Sequence, residues 1–533
     1  MLFNSYEFIF LFLPITITVF FGIGRLGYYP AATGWLVIAS LFFYAWWNPA
    51  YLGLLVFSVI LNYATGLALN RSRDLPISRK FILIFGITVN LLLLGYYKYA
   101  NFFVTSINDT LGTQFTLNKI VLPLAISFFT FQQISYLVDA YKGKTKEYNF
   151  LNYCLFVCFF PQLIAGPIVH HKEMIPQFLN RGIHKFSSED LAIGLTIFSA
   201  GLFKKTVLAD NIAHYATPIF IAASNGASIT FYEAWIGALA YTLQLYFDFS
   251  GYSDMAIGSA RMFGIKLPLN FNSPYKSVNI SEFWRRWHMT LTRFLRDYVS
   301  IPLSRLLWRV PLGNKRQSKQ RQLYVNIMVT MLLSGLWHGA GWNYVFWGGL
   351  HGAYLVIYQQ WREFRKFLGH DLRQSHWWSR ILGCGLTFIC GAVSLVFFKA
   401  ANLGEGFAFW QVMFGANGIS LPGSLARPFW FLSEIGVRFE MTVTPGLDSL
   451  TALLWIGVLL SIVWLTPNTQ QWMARYQPTL DRFTNNMFLG WYDRLWNQWK
   501  WEPTQAWAIV SALTAIVAVL AIAKQSEFLY FQF

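Results

Sequence analysis

Leu332-Leu-Ser-Gly-Leu-Trp-His-Gly-Ala-Gly-Trp342 lies between two apolar runs, residues 323–336 and 344–359. A block rich in Lys and Arg precedes the first run, and Arg362, Arg365 and Lys366 follow the second. Basic flanks mark the cytoplasmic ends of membrane segments. Two helices whose outer ends share one side must turn back between them, so the stretch reads as the tip of a membrane hairpin carrying His338. An imidazole there is costly unless it faces the protein interior or a wet cavity. Gly335, Gly339 and Gly341 leave backbone bare around it, which suits the close approach of a ligand. On position alone, a histidine simply bonded to a neighbouring helix stands equally beside that reading.

Similar apolar runs fill the rest of the chain, at 6–24, 31–47, 51–69, 81–99, 121–138, 151–168, 191–208, 231–247, 381–398, 450–465 and 506–523. Of the 533 residues, 55% are hydrophobic and only 12% charged, against about a quarter charged in soluble domains. The expected fold class is therefore all-α, a polytopic integral membrane protein read as one membrane domain over 1–533. Run lengths give about 11–13 membrane helices, with the shorter runs re-entrant. The first run has no basic segment before it and no small-residue cleavage site after it, so it reads as a retained helix. Aromatic clusters such as Tyr44-Ala-Trp46-Trp47 and Tyr96-Tyr97-Lys98-Tyr99 end the runs, as interfacial belts do.

The net charge of +17 sits in the gaps between runs, a positive-inside pattern that argues against nucleic acid as partner and for membrane lipids. The gap 70–80 holds Arg71, Arg73, Arg79 and Lys80, and 140–148 holds three lysines, so both are expected in the cytoplasm. Residues 261–322 carry thirteen basic residues against Glu282 and Asp297. With Trp284, Trp287, Phe294 and Trp308 among them, they read as amphipathic cytoplasmic helices lying on the membrane. The acidic stretch 400–449 is expected as an extracytoplasmic loop.

Other segments offer chemistry. In Phe283-Trp-Arg-Arg-Trp-His-Met-Thr-Leu291, Arg285 and Arg286 with Trp287 and His288 suit a phosphate-rich donor, although membrane anchoring explains the same cluster. Asp248, Ser250 and Asp254 in Gln244-Leu-Tyr-Phe-Asp-Phe-Ser-Gly-Tyr-Ser-Asp-Met255 read as a broken, cavity-lining element whose role is structural or acid–base. Prolines in Phe159-Phe-Pro-Gln-Leu-Ile-Ala-Gly-Pro167 predict a turn, after which His170 and His171 read as a solvated loop. His351 faces the same choice as His338. Cys154, Cys158, Cys384 and Cys390 read as packing residues. Neither a P-loop, a His-Glu-x-x-His nor a dinucleotide fingerprint is present, so no metal site and no bound cofactor are expected.

The Phe-Pro-Gln…Ala-Gly-Pro stretch, Asp248-Phe-Ser-Gly-Tyr-Ser-Asp-Met, Asn270-Phe-Asn-Ser-Pro-Tyr275, the Trp-His at 287–288 and Trp337-His-Gly together resemble the membrane-bound O-acyltransferase family. The likeness is to its bacterial branch of alginate O-acetyltransferases and teichoic-acid D-alanyl transferases, and it extends to Leu2-Phe-Asn-Ser and Tyr530-Phe-Gln-Phe533. The resemblance implies that His338 is catalytic, that His288 is a second functional histidine, and that helices surround a central tunnel joining a cytoplasmic donor to an outer acceptor. Arg285, Arg286 and Trp287 are then donor-binding candidates. Asp248, Ser250, Asp254, Asn270, Trp337, Asn343 and His351 are cavity-lining or supporting candidates, with Trp337 and Asn343 as possible oxyanion donors. The implied co-substrate is acetyl-CoA or an acylated carrier protein. The implied partners are an acyl-relay protein outside the membrane and a polysaccharide acceptor, with the chain in the bacterial inner membrane. A transporter or flippase using Asp248 and Asp254 is the rival reading, and a lipid or protein acyltransferase of the same family is the second alternative.

Overall fold

A computed structural model describes residues 1–71, 78–118, 120–145, 149–308, 315–372, 376–444, 449–481, 496, 498–522 and 529. Parts of the basic gaps at 70–80 and 140–148, residues 309–314 of the basic block, and the closing 530–533 lie outside the described residues. Helix dominates what is described, and the strands form one short parallel pair, Ser420–Pro422 beside Arg438–Glu440. Among the described residues, five helical segments are long and apolar enough to cross a membrane: Phe8–Arg25, Pro49–Arg71, Arg79–Leu111, Ser188–Ser224 and Trp377–Lys399. Tyr29–Ala45, Leu450–Leu465 and Gln505–Leu520 are shorter apolar helices. The chain divides into two interleaved units, one of Met1–Phe203, Gly251–Asn270 and Thr469–Lys524, the other of Lys204–Ser250, Phe271–Asn468 and Gln525–Phe533.

The first unit is built with its polarity turned inward, as lipid demands. On the Leu52–Arg71 helix, Ser58 and Asn62 are buried while Phe57 and Ile60 are exposed. Asn62 and Asn90 exchange amide hydrogen bonds at 3.1 and 2.7 Å, and Gln133 donates to the Ser58 hydroxyl at 2.8 Å. Such bonds hold helices together where apolar burial gives no preference between protein and lipid. Small residues let backbones meet: a Cβ on Gly258 would stand 2.6 Å from the Gly194 carbonyl oxygen. The proline-rich break expected near 159–167 is present, with one helix ending at Cys158 and a short one, Phe160–Leu163, following. His170 and His171, expected in a solvated loop, are instead buried. The His171 ring packs on Tyr136 and Phe156 and bonds the Thr145 hydroxyl, so aromatic packing outweighs the neighbouring Lys172.

The helix Phe231–Met262 is continuous over 32 residues, passing without a break through 244–255, where the sequence suggests an interrupted element. Its carboxylates find partners elsewhere in the chain and need no N–H freed within the helix itself. Asp248 pairs with Lys205 at 2.8 Å, and Asp254 accepts from Thr469 and Gln470 at 2.6 and 2.7 Å.

In the second unit, Asn279 caps Ile280–Arg286 by accepting from the Glu282 backbone N–H at 2.9 Å, and Asn402 does the same for Leu403–Met413 through Glu405. The basic block forms short helices, Ile280–Arg286, Met289–Phe294 and Ile301–Leu307, before Lys315–His338 begins. Their aromatic side chains do not all lie on a membrane surface as expected. Trp284, Trp287 and Phe294 are buried in the protein, because the chain turns sharply at His288 and packs these short helices inward, Trp284 against Trp347 and His351, while Trp308 is 69% exposed.

Candidate acyl-transfer site

The hairpin is as the charge pattern requires: helix Lys315–His338, a connection at 339–341, then helix Trp342–Phe367. Its glycines serve the hairpin, not ligand approach. A Cβ on Gly335 would strike the Tyr344 carbonyl, one on Gly339 the Tyr344 ring, and one on Gly348 the Met331 carbonyl. The two helices therefore touch backbone to backbone, and His338 is fixed as the last residue of the first.

His338 is buried with its ring edge-on to Trp347 at 5.1 Å and packed against Phe398 at 5.2 Å. The Trp337 ring meets it edge-on at 4.9 Å. His288 comes to the same place by a different route. Its backbone is left-handed (φ 42°, ψ 54°), a sharp turn between the Ile280–Arg286 and Met289–Phe294 helices that drives the ring inward. There it is wholly buried, edge-on to Phe249 at 4.9 Å, 6.0 Å from the Trp337 ring and 6.5 Å from that of His338. Burial pushes the His288 imidazole down to about 3, so the ring is neutral at physiological pH.

A cavity opens beside His338, lined by Leu245, Phe249, Tyr275, Phe283, Trp287 and Trp347 and by His351, Gly391, Leu395 and Phe398. Its free centre, about 20 Å³, has room for one water-sized group. His351 enters from the second hairpin helix. The Ser394 hydroxyl donates to the Gly391 carbonyl at 2.8 Å, so it accepts from His351 Nε2–H at 2.9 Å. That tautomer leaves Nδ1 as a buried acceptor with no hydrogen-bond partner among the described residues, as are the indole N–H groups of Trp284 and Trp347 as donors.

The other candidates separate. Trp287 lies in the cavity, stacked on Phe283 at 5.7 Å. Arg286 faces away, paired with Glu282 at 2.7 Å and bonded to the Asn272 carbonyl at 3.3 Å. Arg285 is exposed and donates to Ser281. Asn343 is committed elsewhere: its amide donates to the carbonyls of Phe397 and Ala400 at 3.2 and 2.9 Å, closing the end of the Trp377–Lys399 helix, so it has no proton left for an oxyanion. Asp248 sits in a buried ion-pair group in which Lys205 also binds Asp210 at 2.7 Å, and the Leu529 backbone N–H donates to Asp248 at 3.1 Å. Ser250 is buried nearby in sequence on the same helix. Asp254 and Asn270 belong to the first unit, with Asn270 donating to Ser253 at 3.2 Å. Sequence reasoning missed Gly391, Leu395 and Phe398. Their i, i+4, i+7 spacing is a helix face, but in a run this apolar that signal does not separate cavity from lipid.

The arrangement places two buried imidazoles together beside a largely apolar pocket. Comparison with known proteins agrees. The family described as MBOAT, membrane-bound O-acyltransferase, matches residues 75–398. A peptidoglycan O-acetyltransferase of Helicobacter pylori is 44% identical over 468 residues, covering 83% of this chain and 85% of that protein. The probable alginate O-acetylase AlgI of Pseudomonas aeruginosa is 41% identical over 78% of this chain and 75% of its own length. A teichoic acid D-alanyltransferase of Streptococcus thermophilus is 29% identical over 54% of this chain and 70% of its own length. The chain belongs to the membrane-bound O-acyltransferase family and is a multi-pass membrane O-acetyltransferase.

Proposed function

We propose that the chain takes an acetyl group from a cytoplasmic thioester, acetyl-CoA or an acylated carrier protein, and passes it through the bacterial inner membrane for O-acetylation of a cell-envelope glycan. The observation that carries this reading is His338 and His288 sharing one buried aromatic site, 6.5 Å between ring centroids, beside a small cavity. His338 acts as general base. It takes the proton of the incoming hydroxyl, whose oxygen forms a C–O bond to the thioester carbonyl. The C–S bond then breaks, and the proton passes from His338 to the departing thiolate. The neutral His288 ring orients the donor beside Trp287. Arg285, exposed at the surface, meets donor phosphate. Glycans acted on by the peptidoglycan and alginate relatives make an envelope polysaccharide the favoured acceptor, reached directly or by an acyl-relay protein.

The test uses full-length chain in sealed proteoliposomes, with radiolabelled acetyl thioester on one side and envelope glycan on the other. Expected is free thiol on the donor side and O-linked label in the glycan. Intact thioester crossing the membrane without thiol release would establish a transporter instead.

A further inference from the structure

The helix Trp377–Lys399 presents Gly391, Leu395 and Phe398 on one face, and all three line the cavity beside His338. Gly391 differs from the other buried glycines of the second unit. A Cβ on Gly335, Gly348 or Gly406 would collide with a neighbouring chain segment, whereas one on buried Gly391 would meet no atom within 4 Å. Its missing side chain is therefore no packing requirement: the space beside it belongs to the cavity. The backbone is held there, since the Ser394 hydroxyl bonds the Gly391 carbonyl and is itself bonded by His351.

The chemistry of this space suits the tail of an acyl group. Leu245, Phe249, Leu395 and Phe398 make the wall apolar, and the His338 imidazole lines the same space, packed on Phe398. The free centre, about 20 Å³, takes one water-sized group, and a methyl is of that size. We infer that Gly391 and Leu395 set the length of the acyl chain this enzyme accepts, holding it to two carbons. The inference rests on the acyl-transfer reading above and deepens it. Gly391 supplies depth by having no side chain, and Leu395 closes the end.

Full-length chain in lipid, with envelope glycan present, is assayed for thiol release from acetyl and propionyl thioesters, each supplied on CoA and on carrier protein. The wild type is expected to favour acetyl by about 10-fold or more, the usual effect of one extra methylene in a closed apolar pocket. Leu395→Ala is expected to cut that preference by about 10-fold by admitting propionyl. Gly391→Ala meets no neighbour and replaces Gly by the best helix former, so it is expected to fold and to lower acetyl turnover by filling the space. Thermal melting checks both variants, and Leu395→Val replaces Leu395→Ala if the latter does not fold. An unchanged acetyl-to-propionyl preference and wild-type acetyl turnover in both folded variants would overturn the inference alone. A folded wild type that releases thiol from neither thioester would overturn the acyl-transfer reading, and the length gate with it.

Discussion

A left-handed histidine is held against its own backbone preference at a cost on the order of 1 kcal/mol. At His288 that turn lays the imidazole against Phe249 and within 6.5 Å of His338. Burial pushes the ring from its ordinary 6.5 down to about 3. The folded protein thus carries it neutral where the unfolded chain binds a proton below pH 6.5. The stability this gives is full above 6.5 and is lost as pH falls from there toward 3. Melting of the purified protein is expected to drop between pH 7.5 and pH 5, and His288→Gln is expected to flatten that drop. An equal drop in the variant would contradict the burial argument. Family resemblance marks both Trp-His dipeptides as functional, and the structure adds that their imidazole centroids lie 6.5 Å apart, although the sequence reads them at separate depths. What could not be read was the division of Arg-Arg-Trp, with Arg286 turned out to Glu282 and Trp287 turned in to Phe283. That split depends on which face of a seven-residue helix meets the 342–367 helix, and too few residues lie in it for a periodicity to show.

At the scale of elements, the hairpin of Lys315–His338 and Trp342–Phe367 was readable from charge alone, because basic residues at both outer ends leave its tip no other place. The role of its residues was not. Asn343 opens the second hairpin helix just past His338, a position that suits an oxyanion donor, yet it closes the end of the Trp377–Lys399 helix through Phe397 and Ala400. Asn343→Ala is therefore expected to destabilise the protein by about 1–3 kcal/mol, the cost of buried carbonyls left without donors. Turnover of the folded fraction should stay within a few-fold of wild type. A loss of about 10²–10³ in turnover with unchanged melting would instead make Asn343 an oxyanion donor. The unbroken Phe231–Met262 helix carries the same lesson. Carboxylates in an apolar run suggested a break, but Lys205, Thr469 and Gln470, distant in sequence, satisfy them, and long-range pairing leaves no local trace.

For the whole molecule, composition and the spacing of apolar runs were enough to fix a multi-pass, helical membrane protein, since lipid permits few other solutions. The inward polarity of the first unit, with Asn62, Asn90 and Gln133 buried and Phe57 and Ile60 exposed, is that constraint seen in side chains. His288, His338, His351 and every residue lining the cavity belong to the second unit. The account as a whole depends on His338 as the base. The most direct measurement is steady-state thiol release by full-length wild type, His338→Ala and His288→Ala in lipid with envelope glycan, each checked by melting. His338→Ala is expected to lose about 10²–10⁴ in kcat with KM for the thioester within a few-fold, while His288→Ala raises KM and retains measurable kcat. Near-normal kcat in a folded His338→Ala, with His288→Ala silent, would contradict the account and move the base to His288.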